Sequence, residues 1–223
     1  MIALVHYRIA AYVRSHRVIQ AFLPILLLLS FVFASRAPRG QELAALTDSA
    51  VLVIPLLAWA ARGLLDTEPD TQRTVSATTV GGPGREVTAG LLAALTVTGA
   101  FAALALAFGL LLGLSATPTP TTLTAAAALH GLAALTGTTI GALTSRPILP
   151  SPAVSIITLL AAFVAMLLLS ASPLSWLTVP VTAWMKAAGN DTLTTDLAAL
   201  TIPSVLWPLL GLAAYTRLRR TRP

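Results

Sequence analysis

The sequence predicts an all-α integral membrane protein with six transmembrane helices, and three observations carry that prediction. Of 223 residues, 56% are hydrophobic and only 10% charged, with a mean hydropathy of +0.84; a water-soluble domain needs far more charge to cover its surface. Six apolar runs are each long enough for a bilayer core of about 30 Å, which takes roughly 17 to 25 residues of helix. The basic residues, 14 Lys and Arg against 8 Asp and Glu, sit at the ends of those runs instead of forming the single patch of a nucleic-acid surface. They address membrane lipid, and nucleic acid is excluded as a partner.

The elements follow in order. In residues 1–17, Ile2, Val5, Ile9, Tyr12 and Val13 recur at helical spacing on one face, while Arg8, Arg14 and Arg17 lie off it. That is the pattern of a helix lying along the membrane surface with its arginines at anionic headgroups; a plain basic flank that fixes orientation accounts for the same charges. The first span is predicted at 18–34. It ends in ASRAPRG, a weak match to a signal-peptide cleavage site, but cleavage leaves five spans and an awkward topology, so the run is read as a retained helix. The second span is 43–65, and the third, 87–115, exceeds what a bilayer needs and is expected to tilt or to extend beyond it. The fourth, fifth and sixth are predicted at 123–145, 153–172 and 199–216.

Between the second and third spans, residues 66–86 form the longest polar stretch. Asp66 or Thr67 is placed to cap a short helix with Glu68, Pro69 and Asp70 in its first turn, and Gly81, Gly82, Pro83 and Gly84 stop it. A helix held there by two spans can take a push from a soluble partner; a solvated connector is the plainer alternative. Residues 173–198 are too polar and too broken by proline to cross, yet too apolar for a free loop, which predicts one or two short re-entrant or surface helices at the interface. Trp176 and Trp184 suit the headgroup boundary, and Asn190, Asp191 and Asp196 are expected in water. With six spans, Arg36, Arg39 and Lys186 fall on one side and the remaining arginines on the other, so the positive-inside rule makes both termini cytoplasmic and the inner (plasma) membrane the expected location.

Several chemistries are excluded by composition. Without cysteine there is no disulfide, thiolate metal site or cysteine nucleophile. His6, His16 and His130 are too scattered for a helical metal pair, so no metal site is expected. A P-loop needs lysine followed by serine or threonine, whereas the only lysine, Lys186, precedes Ala187, and the glycine-rich GGPGRE at 81–86 has none; any ATP is bound by another polypeptide. His130 lies inside the fourth span, where a neutral imidazole bonded to a neighbouring helix is the favoured reading over a functional one. Ser115 with His130 makes a poor hydrolase, and no catalytic residue is expected. GLLLG at 109–113 and GTTIG at 137–141, through Gly109, Gly113, Gly137 and Gly141, fit close helix packing within the chain or between protomers.

The order of parts resembles the permease of ABC-2 type exporters. HYRIAAYVRSHRVIQ at 6–20 is similar to that family's elbow helix entering its first span, EPDTQRTVSATTVGGPGRE at 68–86 to its coupling-helix loop, and 173–198 to its extracytoplasmic re-entrant helices. The resemblance covers the whole chain as a single transmembrane domain, 1–223, without the large extracytoplasmic domain of some members. It implies a dimer of permeases, identical or homologous, beside two copies of a separate ABC ATPase subunit that carries the ATP and magnesium. It implies that Glu68, Asp70, Thr71, Gln72, Arg73 and Thr74 dock on that ATPase. The apolar walls suit a hydrophobic or amphipathic cargo, a drug, peptide or lipid. A secondary carrier or channel, and less readily an intramembrane hydrolase, are the alternatives.

Overall fold

In a bilayer the backbone has no water to bond, so a chain this apolar satisfies its N–H and C=O groups internally, as helix. The computed structural model describes residues 1–221, except for the side chains of Asp70 and Thr221; Arg222 of the basic tail lies outside the described residues. The helices are α1 (Ile2–Arg14), α2 (Arg17–Val32), α3 (Glu42–Leu65), α4 (Asp70–Val80), α5 (Pro83–Phe108), α6 (Pro120–Leu143), α7 (Pro152–Ser170), α8 (Val181–Gly189) and α9 (Leu193–Thr221). A π-helical turn, Gly109–Gly113, continues α5, and a 3₁₀ turn, Ser175–Leu177, precedes α8. No strand occurs among the described residues.

Five of these helices are individually long and apolar enough to cross a membrane: α3, α5 with its π turn, α6, α7 and α9. The chain is thus a multi-pass membrane protein. The run predicted as the first span, α2, has 16 residues and meets the same criterion only together with α1, from which it is bent by 71°. His16 makes that bend, its backbone in the left-handed region at φ 59°. Prolines set the other starts: Pro83, Pro120 and Pro152 occupy the first turn of α5, α6 and α7, where no N–H is needed. Thr119 caps α6 by accepting from the N–H of Thr122 at 3.2 Å. Gly81, at φ 86°, closes α4 in the left-handed conformation that only glycine adopts without strain.

The core is the contact of α3 with α6. A Cβ on Gly141 would stand 2.4 Å from the Ala58 carbonyl oxygen, and one on Gly137 2.6 Å from Leu57 Cβ, so these glycines let two backbones approach within the chain. Gly109 and Gly113 do the same for a ring: a Cβ on Gly113 would meet Phe33 Cδ1 at 2.2 Å. Of the most apolar stretch of each span, 61% of α3 and 67% of α6 is buried, against 22% of α7 and 11% of α9, which places α7 and α9 on the outside of the bundle.

Helix ends gather at two poles. At one, Arg8 of α1, Glu68 ahead of α4, Glu86 of α5 and Arg219 of α9 meet. At the other, Ala37 pairs with the segment after the π turn, its N–H donating to the Gly113 carbonyl at 2.8 Å. The last helix begins at Leu193, ahead of the predicted 199, because fully buried Leu193 gives its first turn an anchor that hydropathy over a span-length window averages away.

Candidate functional site

The first pole holds the densest set of buried charges in the described chain, built from elements remote in sequence. α1 packs Tyr12 and Arg8 inward, with Tyr12 1% and Arg8 7% exposed, while Ile2 and Val13 face out. Arg8 is thus not at the headgroups: the helix is rotated from the face that spacing alone indicated, because two carboxylates wait on the inner side. Its Nε donates to Glu68 Oε2 at 3.0 Å and its Nη1 to the Glu86 main-chain carbonyl at 3.0 Å, and its Nη2 reaches both carboxylates. Glu86 spends its second oxygen on Arg219 Nη2 at 3.0 Å. A buried charge is tolerated when paired and hydrogen-bonded, and here each acid has a guanidinium and Arg8 has two acids.

This cluster fixes α4. Glu68 accepts from Ser76 Oγ, Gln72 donates to the Tyr7 hydroxyl, and Arg73 Nη2 donates to the Leu65 carbonyl at 2.6 Å. Glu68 and Arg73 are each 7% exposed. They are therefore turned into the protein and not outward as a docking pair would be, since their charges are drawn to partners on α1 and α3. Thr71, Gln72 and Thr74 are exposed, joined by Val75 at 64% and by Thr78 and Thr79. The side chain of Asp70 lies outside the described residues.

Around the cluster a second set of contacts ties the same pole together. Arg17 Nη1 donates to the Asp66 carbonyl at 3.1 Å, clipping the start of α2 onto the end of α3, while Arg14 stays exposed. Asp66 accepts the Arg146 main-chain N–H at 2.7 Å and pairs with Arg62 at 3.5 Å, so the turn between α6 and α7 is fastened to α3. Burial pushes the Asp66 carboxyl above the ordinary aspartate range; the Arg146 N–H and the nearby Arg62, Arg73 and Arg17 act the other way and offset only part of it.

At the opposite pole, Trp176 is 66% exposed, as a boundary tryptophan is, but Trp184 is fully buried and donates its Nε1–H to Ser204 Oγ at 3.1 Å. Trp184 is thus a core residue of α8, not a surface anchor: its apolar body fills the gap between α8 and α9, and the serine satisfies its N–H. Asn190, Asp191 and Asp196 are exposed. Midway, His130 Nδ1 donates to the Ala126 carbonyl at 2.9 Å, and its Nε2 lies 3.3 Å from the Oγ of Ser49, which itself donates to the Leu46 carbonyl at 2.9 Å. The pair is buried and pins α6 to α3. No group of three His, Cys, Asp or Glu side chains fit for a metal occurs among the described residues.

Sequence reasoning missed Glu86, Arg219 and Asp66 as members of the charged pole. The legible signal was a carboxylate directly ahead of an apolar run: Glu86, carried into the first turns of α5, needs a cation, though nothing local says which. Comparison with family models, with curated proteins and with solved structures finds no match.

Proposed function

We propose that this chain is the membrane-spanning subunit of an ATP-driven exporter of the ABC-2 type. It acts as one of two permeases, the second an identical or related chain, beside two copies of an ATPase subunit that holds ATP and Mg²⁺. It lies in the plasma membrane with six spans, α2 being the first, and with both termini cytoplasmic. α1 is the elbow helix, α4 the coupling helix, and the 3₁₀ turn and α8 lie at the outer interface.

One observation carries this reading. α4 is a short helix between two spans, tied inward to α1 and α5 through Glu68 and Arg8, with an outward face of Thr71, Gln72, Thr74, Val75, Thr78 and Thr79. Val75, 64% exposed, is the apolar side chain on that face that a docked ATPase would cover. A push on α4 passes through the Arg8–Glu68–Glu86–Arg219 cluster to α1, α5 and α9 together, because ion pairs shared by one carboxylate cannot be displaced singly without stranding a buried charge. Closure of the ATPase dimer on ATP then tilts the permease and opens the path between the two copies; ATP acts by its differential affinity for the two states. The lipid-facing Ala- and Leu-rich surfaces of α5, α7 and α9 suit a hydrophobic or amphipathic cargo.

The test is copurification in mild detergent. Wild-type chain should carry a P-loop ATPase with it, and Val75→Asp should lose that ATPase while keeping wild-type unfolding behaviour. Cargo movement by the lone chain in proteoliposomes under an ion gradient, with no ATPase present, would overturn the reading in favour of a secondary carrier.

A further inference from the structure

α6, α7, α9 and the segment ahead of α8 together line a cavity of about 180 Å³. Its depth follows from where its residues fall in their helices. Ala162 is near the middle of α7, and Trp207 and Pro208 are near the middle of the membrane-length stretch of α9, Leu193–Arg220, so the cavity lies inside the hydrocarbon. Thr178 and Val179, which belong to no helix, dip to the same level and line it. Non-helical backbone at membrane depth is tolerated only where something other than lipid satisfies its polar groups. Here the protein leaves two of them open: the Thr178 hydroxyl and the main-chain N–H of Val179, a residue 4% exposed, have no hydrogen-bond partner among the described residues. The other donors on the wall are already spent, Thr136 Oγ1 on the Leu132 carbonyl at 2.8 Å, Thr139 Oγ1 on the Pro208 carbonyl at 3.2 Å and Trp207 Nε1 on the Trp176 carbonyl at 3.0 Å.

Among the described residues no charged side chain lines the cavity, so a charged occupant would be buried without a counter-ion in a medium of low dielectric. A lipid tail would fill the space and leave both open groups stranded. α7 and α9 form the outside of the bundle, so a ligand dissolved in the acyl chains has direct access. The Met166 thioether and the Trp207 ring give the wall two groups that favour an aromatic neighbour. An apolar cavity of about 150 Å³ holds benzene, so this one, at about 180 Å³, takes one ring with a small substituent. We propose that the cavity binds the phenol-like end of a neutral, membrane-dissolved molecule. The ring lies between Met166 and Trp207, and its hydroxyl donates to Thr178 Oγ1 while accepting from the Val179 N–H, a few placed polar groups orienting a mostly apolar ligand. Such a site needs only membrane embedding and stands apart from the exporter reading.

The test is fluorine NMR of meta-trifluoromethylphenol titrated against the full chain in neutral maltoside micelles. A saturable shift is expected above the linear contribution of partition into the micelle. Thr178→Val should weaken it about fivefold to tenfold, the loss of one neutral hydrogen bond. Trifluoromethylbenzene, which lacks the hydroxyl, should bind wild type weaker by a similar factor and be indifferent to Thr178→Val. The charged meta-trifluoromethylbenzoate should show no saturable shift. Ala162→Leu, which fills the cavity from α7, should abolish the saturable part, whereas Ala165→Leu, on the exposed side of the same helix, should leave it intact. If wild type shows no saturable part, or if Ala162→Leu retains it, the site is refuted. If trifluoromethylbenzene binds as tightly as the phenol, the cavity takes plain hydrocarbon and the assigned role of Thr178 and Val179 falls. Should Ala162→Leu fail to fold, the smaller Ala162→Val is expected to weaken binding; wild-type affinity there also counts against the site.

Discussion

Glu86 has two carboxylate oxygens and both are committed, one to Arg8 near the start of the chain and one to Arg219 near its end. Removing one partner of a buried pair leaves the other charged and unpaired, a loss of about 3–5 kcal/mol. Glu86→Gln removes the carboxylate that Arg219 holds and leaves Arg8 with Glu68 alone, and is expected to cost about 3 kcal/mol in reversible unfolding in mixed micelles. Arg14→Gln, whose side chain is exposed, should change stability by less than about 0.5 kcal/mol. Asp66 offers the opposite sign of effect. Its carboxyl is raised by burial, so its protonation favours the folded state: that contribution is full below the ordinary aspartate value near ~3.9 and is lost as pH rises through the raised folded value. Asp66→Asn keeps an acceptor for the Arg146 N–H without the desolvated charge. Wild-type stability relative to this variant is therefore expected to fall as pH climbs from about 4 toward 7, and a rise over that range would disprove the assignment.

At the scale of elements, α6 shows that glycines in one helix are not equivalent. A Cβ on Gly141 meets a backbone oxygen of α3 at 2.4 Å, whereas one on Gly131 meets nothing within 4 Å. Gly141→Ala must push two helices apart and is expected to destabilise by about 1–3 kcal/mol. Gly131→Ala gains helix propensity and is expected to stabilise by up to about 1 kcal/mol; unfolding midpoints of the two variants side by side check both. The same contrast governs α4, which buried Glu68, just ahead of it, and its own Arg73 hold in place while Val75 and its neighbours face out. Substituting Glu68 should therefore lower stability, whereas substituting Val75 should spare it, and unfolding midpoints separate the two.

For the whole molecule, the arrangement of poles makes a prediction about sidedness. The chain has no cysteine, so a single cysteine can be placed at exposed Val75 or exposed Asn190 without background. A membrane-impermeant maleimide is expected to reach the two positions from opposite sides of the membrane, Val75 from the cytoplasm. Reaction of both from one face would sink the two-pole arrangement in a bilayer. Nothing in this test depends on the cargo or on a partner.

Much of the fold is legible in the amino-acid order because the forces that set it are local. Membrane embedding follows from the solvation of each apolar run, helix starts from Pro83, Pro120 and Pro152, and the stop of α4 from Gly81. The candidate site is legible only in part. That 66–86 is a built segment can be read from its glycines, but the expected cap at Asp66 or Thr67 is not formed, because Asp66 ends α3 and α4 starts at Asp70 behind Pro69 with no side-chain cap; nor can it be read which of its charges turn inward, since Arg8 meets Glu68 and Glu86 across 60 and 78 residues and Arg219 meets Glu86 across 133. Spacing in α1 records where apolar side chains lie and says nothing of a carboxylate brought alongside by another helix; it points Arg8 to the lipid surface, just as residue type alone points Trp184 to the boundary. Hydropathy is a property of a window and the sequence owns it; the pairing of buried charges is a property of which helices touch, and only the tertiary structure decides that.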